Sequence, residues 1–230
     1  MNQLYGILSS GVNAGIKREM PEGVLNHINQ NVYVFSGAKT YEELNELKDL
    51  LLDDDKNIKS FHQFWQESRK IHTEYNQSYL KAEYNFATHA ARAADQWQDI
   101  AADGDEYNLQ YRTANDGLVR ESHFILHDTT LPPSDPFWDK YFPPNGWNCR
   151  CLAVQVRKSK YPLSDSKEAI EKGDKATTVI GKNGHNSAAM FRFNPGKQEI
   201  IFPETHPHFK ALSKEEKKAV EKMHDSRKDS

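Results

Sequence analysis

The chain has 230 residues, enough for one large domain or for one domain with helical extensions. Its 30 basic and 33 acidic residues give a formal net charge of −3, without the basic excess that drives general nucleic-acid binding through counterion release. A mean hydropathy of −0.84 is polar for a folded globule, and implies long, partly exposed helices or a protein that completes its burial against a partner.

Residues 1–39 read as irregular, interrupted by Gly11, Gly15, Pro21, Gly23 and Gly37, with Val32-Tyr33-Val34-Phe35 as the one apolar anchor. Thr40 followed by Glu43 fits a capping box. It would start a helix with a buried stripe of Leu44, Leu47 and Leu51 that ends at the acidic turn Asp53-Asp54-Asp55. Through residues 60–102, apolar side chains recur at three- and four-residue spacing, among them Phe61, Trp65, Tyr75, Tyr79, Phe86, Ala90 and Trp97. One rod of that length is unusual, so a break near Asn76-Gln77-Ser78 into two packed helices is expected. Residues 87–94 are rich in alanine, which favours helix and admits the close approach of another element.

After Gly104 the pattern changes. Residues 107–113 alternate as a strand, Asn115-Asp116-Gly117 signals a turn, and a return strand is expected from Leu118. Residues 151–156 read as another strand, and 166–172 as a short helix ended by Gly173. Residues 189–193 and 199–202 read as a strand pair joined by the turn Asn194-Pro195-Gly196-Lys197. Ser213 caps a terminal helix that runs from Lys214 to about His224. No apolar run approaches the roughly 20 residues that span a bilayer. The start, Met1-Asn2-Gln3-Leu4-Tyr5-Gly6-Ile7, has no basic segment ahead of an apolar one, so no signal peptide is expected.

The densest punctuation lies between Tyr111 and Cys151. Pro132, Pro133, Pro136, Pro143 and Pro144 fall there with Phe137, Trp138, Trp147 and the two cysteines of the chain. Proline removes backbone freedom and a buried indole needs a partner for its N–H, so this loop is expected to be rigid, with Trp138 and Trp147 largely buried. Four motifs follow in order: Tyr111-Arg112-Thr113, Arg120-Glu121-Ser122-His123, Asp135-Pro136-Phe137-Trp138 and Pro143-Pro144-Asn145-Gly146-Trp147-Asn148-Cys149-Arg150-Cys151. Together they resemble the Mu F-like minor head proteins of tailed bacteriophages and prophages, also known as phage head morphogenesis proteins. The resemblance covers roughly residues 58–156, rests most on residues 143–151, and departs from the pattern at His127, where an acidic or small residue is expected. It implies a virion or prohead component made in few copies at the portal end of the capsid. Such a component works in assembly, packaging or delivery of DNA, with portal and capsid proteins as partners and the host cytoplasm as the place of assembly.

His123, Cys149 and Cys151 are the best metal-ligand set available. Zinc favours thiolate and imidazole donors, and a rigid loop could bring three of four ligands together, with His127 or Asp128 as a fourth. The Cys-x-Cys spacing is short for a zinc knuckle. On the simpler alternative there is no cofactor: Cys151 faces the core, Cys149 packs below Trp147, and His123 donates to a loop carbonyl. Nor does the spacing suit a disulfide framework, which makes a reducing cytoplasm the natural compartment. Arg112, Arg120 and Arg150 can tie loop carbonyls or a carboxylate such as Asp135, or contact phosphate or a partner's carboxylate. Phe61, Trp65, Tyr75 and Tyr79 form either a docking face for a portal or capsid subunit or the packing between neighbouring helices. The alternatives to a head protein are a zinc-stabilised adaptor and a virion-carried, nuclease-like effector, for which His185, Arg192, Glu204, His206 and His208 are the acid–base candidates. However, no nucleophile elbow, glycine-rich phosphate loop or His-Glu-x-x-His motif occurs, and His206-Pro207-His208 reads as a surface turn, so the chain is read as non-enzymatic.

The sequence thus reads as α+β. An N-terminal arm and capping helix occupy residues 1–57. A head-morphogenesis domain follows over 58–156, with helices leading into a mainly antiparallel sheet pinned by the Pro/Trp-rich loop. Residues 157–230 form an α/β extension that ends in a helix.

Overall fold

A computed structural model describes residues 1–73, 75, 79–114, 117 and 119–226. The architecture is α+β: an N-terminal helical region, a small antiparallel sheet and a C-terminal helix. The first forty residues are helical rather than irregular, forming α1 (Asn2–Gly15) and most of α2 (Glu22–Asp49). Residues 32–39 of α2 are buried on every side, so this stretch lacks the one-sided apolar period by which a surface helix is recognised. Thr40 lies inside α2 and does not cap it; its hydroxyl donates to the Ser36 carbonyl at 2.8 Å. The expected stripe is not buried either. Leu44 and Leu51 are exposed and Leu47 is half-buried, because the end of α2 runs beyond both cores.

The long helical pattern resolves into α3 (Phe61–Thr73) and α4 (Leu80–Asp103). The expected break at Asn76-Gln77-Ser78 lies outside the described residues. α3 packs on α2, where His72 Nδ1 lies 3.6 Å from a Glu43 carboxylate oxygen. The sheet follows, with β1 (Asn108–Arg112) between β2 (Thr130–Leu131) and β3 (Leu152–Val156), all antiparallel. Leu109 pairs with Leu131 on one side, and Tyr111 pairs with Ala153 on the other. Asn115, Asp116 and Leu118 lie outside the described residues. Where a return strand was expected, Val119 sits in a bend and α5 (Glu121–Phe124) follows. The loop contains α6 (Phe137–Tyr141), and β3 leads to α7 (Ser166–Ala176), which runs through Gly173 instead of stopping there; Gly173 lies against the Tyr141 ring.

The expected second strand pair does not form. Residues 189–191 make a 3₁₀ turn, and Asn194-Pro195-Gly196-Lys197 opens the short helix α8 (Pro195–Gln198). The Asn194 side chain accepts from the N–H groups of Gly196 and Lys197, and Pro195 takes the first helical position, so the tetrapeptide is a helix start and not a hairpin. The N–H groups of Ile201 and Phe202 donate to Asn31 Oδ1 at 3.0 and 2.8 Å instead of to a strand. A 3₁₀ turn (Pro207–Ala211) precedes α9 (Lys214–Ser226), which does begin as expected: Glu216 N–H donates to Ser213 Oγ, and Ser213 N–H to Glu216 Oε2.

Two cores share α4. The first joins α1, α2 and the inner face of α4 to Phe191, Phe193, Ile201, Phe202 and Phe209, with Phe35 stacked on Phe202 at 3.7 Å between centroids. The second joins the sheet, α7 and the far end of α4 to Phe137, Trp138, Tyr141 and Phe142 of the loop. Among the described residues, no helix is long and apolar enough to cross a membrane.

The two tryptophans of the loop differ. Trp138 is fully buried, held edge-on by Phe137 and Phe142, but its Nε1 has no hydrogen-bond partner among the described residues, contrary to the expectation for a buried indole. Trp147 is only half-buried, packed edge-on against Phe86 and Phe191 at the rim of the first core. Trp138→Ala is therefore expected to cost about 3–5 kcal/mol and Trp147→Ala less, on the order of 2 kcal/mol. Denaturant unfolding of both variants checks the order; equal losses, or a larger loss at Trp147, would contradict it.

Candidate functional site

The loop folds inward because its backbone is fixed and its aromatics have a core to enter. Phe142, Pro143, Pro144, Asn145 and Gly146 are all buried, and Tyr111 of β1 donates its hydroxyl to Asn145 Oδ1 at 2.9 Å. Beyond Trp147 the chain turns sharply: Asn148 has φ 56°, in the left-handed region, and Cys149 N–H donates to the Gly146 carbonyl at 3.1 Å. This turn precedes β3, so Cys149 and Cys151 both reach the same buried point as His123 of α5. His123 Nδ1 lies 3.6 Å from Cys149 Sγ and 3.9 Å from Cys151 Sγ. All three residues are buried, with their ligand atoms within 4.8 Å of one another.

The hydrogen bond from Cys151, with help from His123, holds the Cys149 thiol well below its ordinary value against the opposing effect of burial. That same bond, together with burial, pushes the Cys151 thiol up. Burial, followed by the nearby cysteines, pushes the Tyr111 hydroxyl up as well.

Of the remaining residues of the motif, Arg120 holds the same turn and the others act elsewhere. Arg120 donates to the Trp147 carbonyl at 2.6 Å, while Arg112 donates to Gln110 Oε1 and to the Tyr161 hydroxyl. Asp135 is not an arginine partner among these contacts; its carboxylate accepts from Phe137 N–H at 2.8 Å and so opens α6 after Pro136. His127 stands apart from the cysteines. Its Nδ1 accepts from Thr113 N–H at 3.1 Å and its ring stacks on Phe124, which secures the end of β1. Arg150 is exposed.

A second polar cluster went unread in the sequence. Lys39 of α2 is buried, donating to Glu83 of α4 at 2.5 Å and to the Tyr75 carbonyl at 2.8 Å. His206 and His208, expected on a surface turn, are buried against it. His208 Nδ1 pairs with Glu42, and its Nε2 lies 3.4 Å from Glu83. The cluster borders a cavity of about 490 Å³ lined also by Glu46, Tyr79 and Met190. Burial lowers the Lys39 pKa against the pull of Glu83. Burial, followed by the charges of His208 and Lys39, depresses His206 to about 3. The signal was present as a lysine closing a buried run and a glutamate just ahead of the alanine-rich stretch, both at positions where a charge must be paired if it is buried.

The other candidate sets are not brought together. Arg192 pairs with Asp174 and Glu204 with Lys217, while His185 is exposed, so among these acid–base candidates only His206 and His208 meet. Phe61, Trp65 and Tyr79 are exposed, at 76%, 52% and 41%, whereas Tyr75 is buried and donates its hydroxyl to Glu46 at 2.5 Å.

The sequence model of the family described as Phage Mu protein F like protein matches residues 27–154, starting well before Ile58. The chain is 38% identical over 112 residues to the Mu-like prophage FluMu F protein of Haemophilus influenzae, covering 42% of this chain and 26% of that relative. It is 39% identical over 69 residues to the Putative capsid assembly protein F of Escherichia phage Mu, covering 30% of this chain and 16% of that relative. The chain thus spans about a quarter or less of the length of these curated relatives. No solved structure matches it.

The depressed His206 has a pH signature. Its folded pKa of about 3 lies below the ordinary histidine value of 6.5, so in acid the unfolded chain takes up a proton that the folded chain refuses. Stability from this group is fully present above about pH 6.5 and is lost as pH falls toward 3, with a slope of at most about 1.4 kcal/mol per pH unit. His206→Asn, which keeps an acceptor for the His208 N–H, is expected to flatten the acid limb of the melting temperature by that slope. An unchanged limb would show that His206 is not the group responsible.

Proposed function

The chain belongs to the phage Mu protein F-like family, and we propose that it is a minor head protein of a tailed phage or prophage that binds portal and capsid proteins during head assembly. The relative named as a capsid assembly protein supports a role in head morphogenesis and a place in the virion or prohead. Packaging or delivery of DNA belongs to the same reading, through protein partners and not through general nucleic-acid binding, since the chain carries a net charge of −3. The proposed mode of action is binding, without catalysis.

One observation carries the docking part of this reading. Of the exposed large apolar side chains, Tyr41, Leu44, Ile58, Phe61, Trp65 and Tyr79 fall within residues 41–79, on the end of α2, on or just before α3, and just before α4. A protein this polar gains nothing in solution by exposing them, and apolar surface of this kind marks interaction sites. Phe61 and Trp65 stack at 6.1 Å between centroids and form a ready aromatic anchor. Tyr75 faces inward and is not part of the exposed surface.

The test is co-purification with the portal protein encoded by the same phage or prophage. Because both side chains are exposed, a Phe61→Ala, Trp65→Ala double variant is expected to melt within a degree or two of the parent. Two aromatic anchors of ordinary strength would weaken portal association at least about tenfold. Undiminished association, with normal incorporation into proheads, would overturn the docking assignment.

A further inference from the structure

We propose that His123, Cys149 and Cys151 form a zinc site that clamps the turn before β3 onto α5. The proposal stands on this cluster alone and is independent of the assembly reading.

The first argument is metrical. Zinc bonds of about 2.3 Å to sulfur and about 2.0 Å to nitrogen in tetrahedral geometry put each N···S edge at about 3.6 Å. The two edges here are 3.6 and 3.9 Å, within a few tenths of an ångström of that value, and all three ligand atoms lie within 4.8 Å of one another. Both sulfurs converge on one atom, His123 Nδ1. A hydrogen bond can use the single lone pair or single proton of that nitrogen for one sulfur at a time, whereas an ion between the three atoms serves all of them.

The second argument is electrostatic. The relative exposures are 3% for His123, 4% for Cys149 and 6% for Cys151. A lone charge at such depth is costly, but a divalent cation with two thiolates and a neutral imidazole sums to zero. Thiolate and imidazole donors in a tetrahedral arrangement select zinc over the hard cations.

The third argument concerns the short spacing. The left-handed Asn148 and the Cys149-to-Gly146 hydrogen bond fold Cys149 back before the strand begins at Leu152. Cys-x-Cys therefore delivers two ligands to one side without needing the longer separation of a zinc knuckle. A small cavity of about 20 Å³ adjoins the cluster, edged by Arg120, Asn148 and Arg150, and has room for a single water as the fourth ligand. His127 does not supply that ligand, since it lies outside the group of ligand atoms formed by His123, Cys149 and Cys151, and Asn148 Oδ1 accepts from Asn85.

The experiment uses the full chain, expressed in zinc-supplemented medium and purified without chelator. Elemental analysis is expected to find about one zinc per chain, lost in a Cys149→Ser, Cys151→Ser double variant. A chelator should lower the melting temperature of the parent, and added Zn²⁺, but not Mg²⁺, should restore it. This second measurement needs no variant and holds even if the double variant fails to fold. Adding Co²⁺ to the metal-free chain should give thiolate-to-cobalt charge-transfer absorption that Zn²⁺ displaces. His123→Cys should keep that absorption, and His123→Ala should weaken cobalt binding at least tenfold. Zinc well below stoichiometry, no cobalt absorption and a melting temperature indifferent to chelator would overturn the site. So would an intact mass showing the two cysteines joined as a disulfide.

Discussion

The fold depends on how closely two other backbones approach helix α4. A Cβ on Gly15 would lie 2.3 Å from the Thr88 carbonyl oxygen, and one on Gly196 would lie 2.2 Å from Trp97 Cβ. α1 and α8 therefore contact α4 at positions where no side chain fits, while Ala87, Ala90, Ala91 and Ala94 keep the α4 surface low. Small residues allow this approach, and close packing makes it specific, because interiors tolerate neither overlap nor voids. From α4 the constraint passes to the loop. Phe86 meets Trp147 edge-on, Asn85 donates to Asn148, and Gln96 donates to the Ala153 carbonyl. The turn that carries the cysteines is thereby set in register with the helix that both cores share.

A second constraint ties the ends of the chain to the middle. Lys39, Glu83, Glu42 and His208 come from α2, α4 and the 3₁₀ turn before α9, and each is buried or half-buried beside its partners. A buried ion pair contributes little net stability compared with a well-packed apolar pair, but losing one partner leaves a charge without solvent. Such a cluster works as a register device: helices and turn are held where every charge is answered. It also explains why the N-terminal and C-terminal segments do not behave as appendages. Asn31 holds the backbone of Ile201 and Phe202, and Phe35 stacks on Phe202, so residues far apart in sequence share one core.

What was legible in the sequence was whatever rests on a local rule. The β1 and β3 strands show in their alternation, α9 in the reciprocal bonds of Ser213 and Glu216, and the α3–α4 region in its three- and four-residue spacing. The misreadings share a cause. Residues 32–39 are enclosed on all sides, so burial erased the periodicity that would have marked a helix. Asn194-Pro195-Gly196-Lys197 fits a turn or a helix start equally well, and the choice is made by Trp97 and Trp138, which receive Gly196 and the Asn194 amide. The gathering of His123 with the cysteines was anticipated from donor chemistry, but the left-handed Asn148 that makes the short spacing workable was not. The Lys39 cluster was missed because its members lie far apart in sequence, and only the tertiary fold makes them neighbours.

The placement of apolar surface resolves the tension between a polar composition and two dense cores. The second core joins the large aromatics of the loop to Trp97 and Ile100 of α4 and to the small Ala169 and Ala176 of α7, a combination that fills space with few residues. That economy leaves the exposed aromatics of α3 outside both cores. They lie on an element that packs on α2, whereas the loop is held by proline, by arginine-to-carbonyl bonds and by the His–Cys convergence. The tightly held loop and the exposed aromatic surface are thus different parts of the chain. The turn before β3 is therefore fixed independently of the exposed aromatics, so a substitution at Phe61 or Trp65 leaves its hydrogen bonds in place.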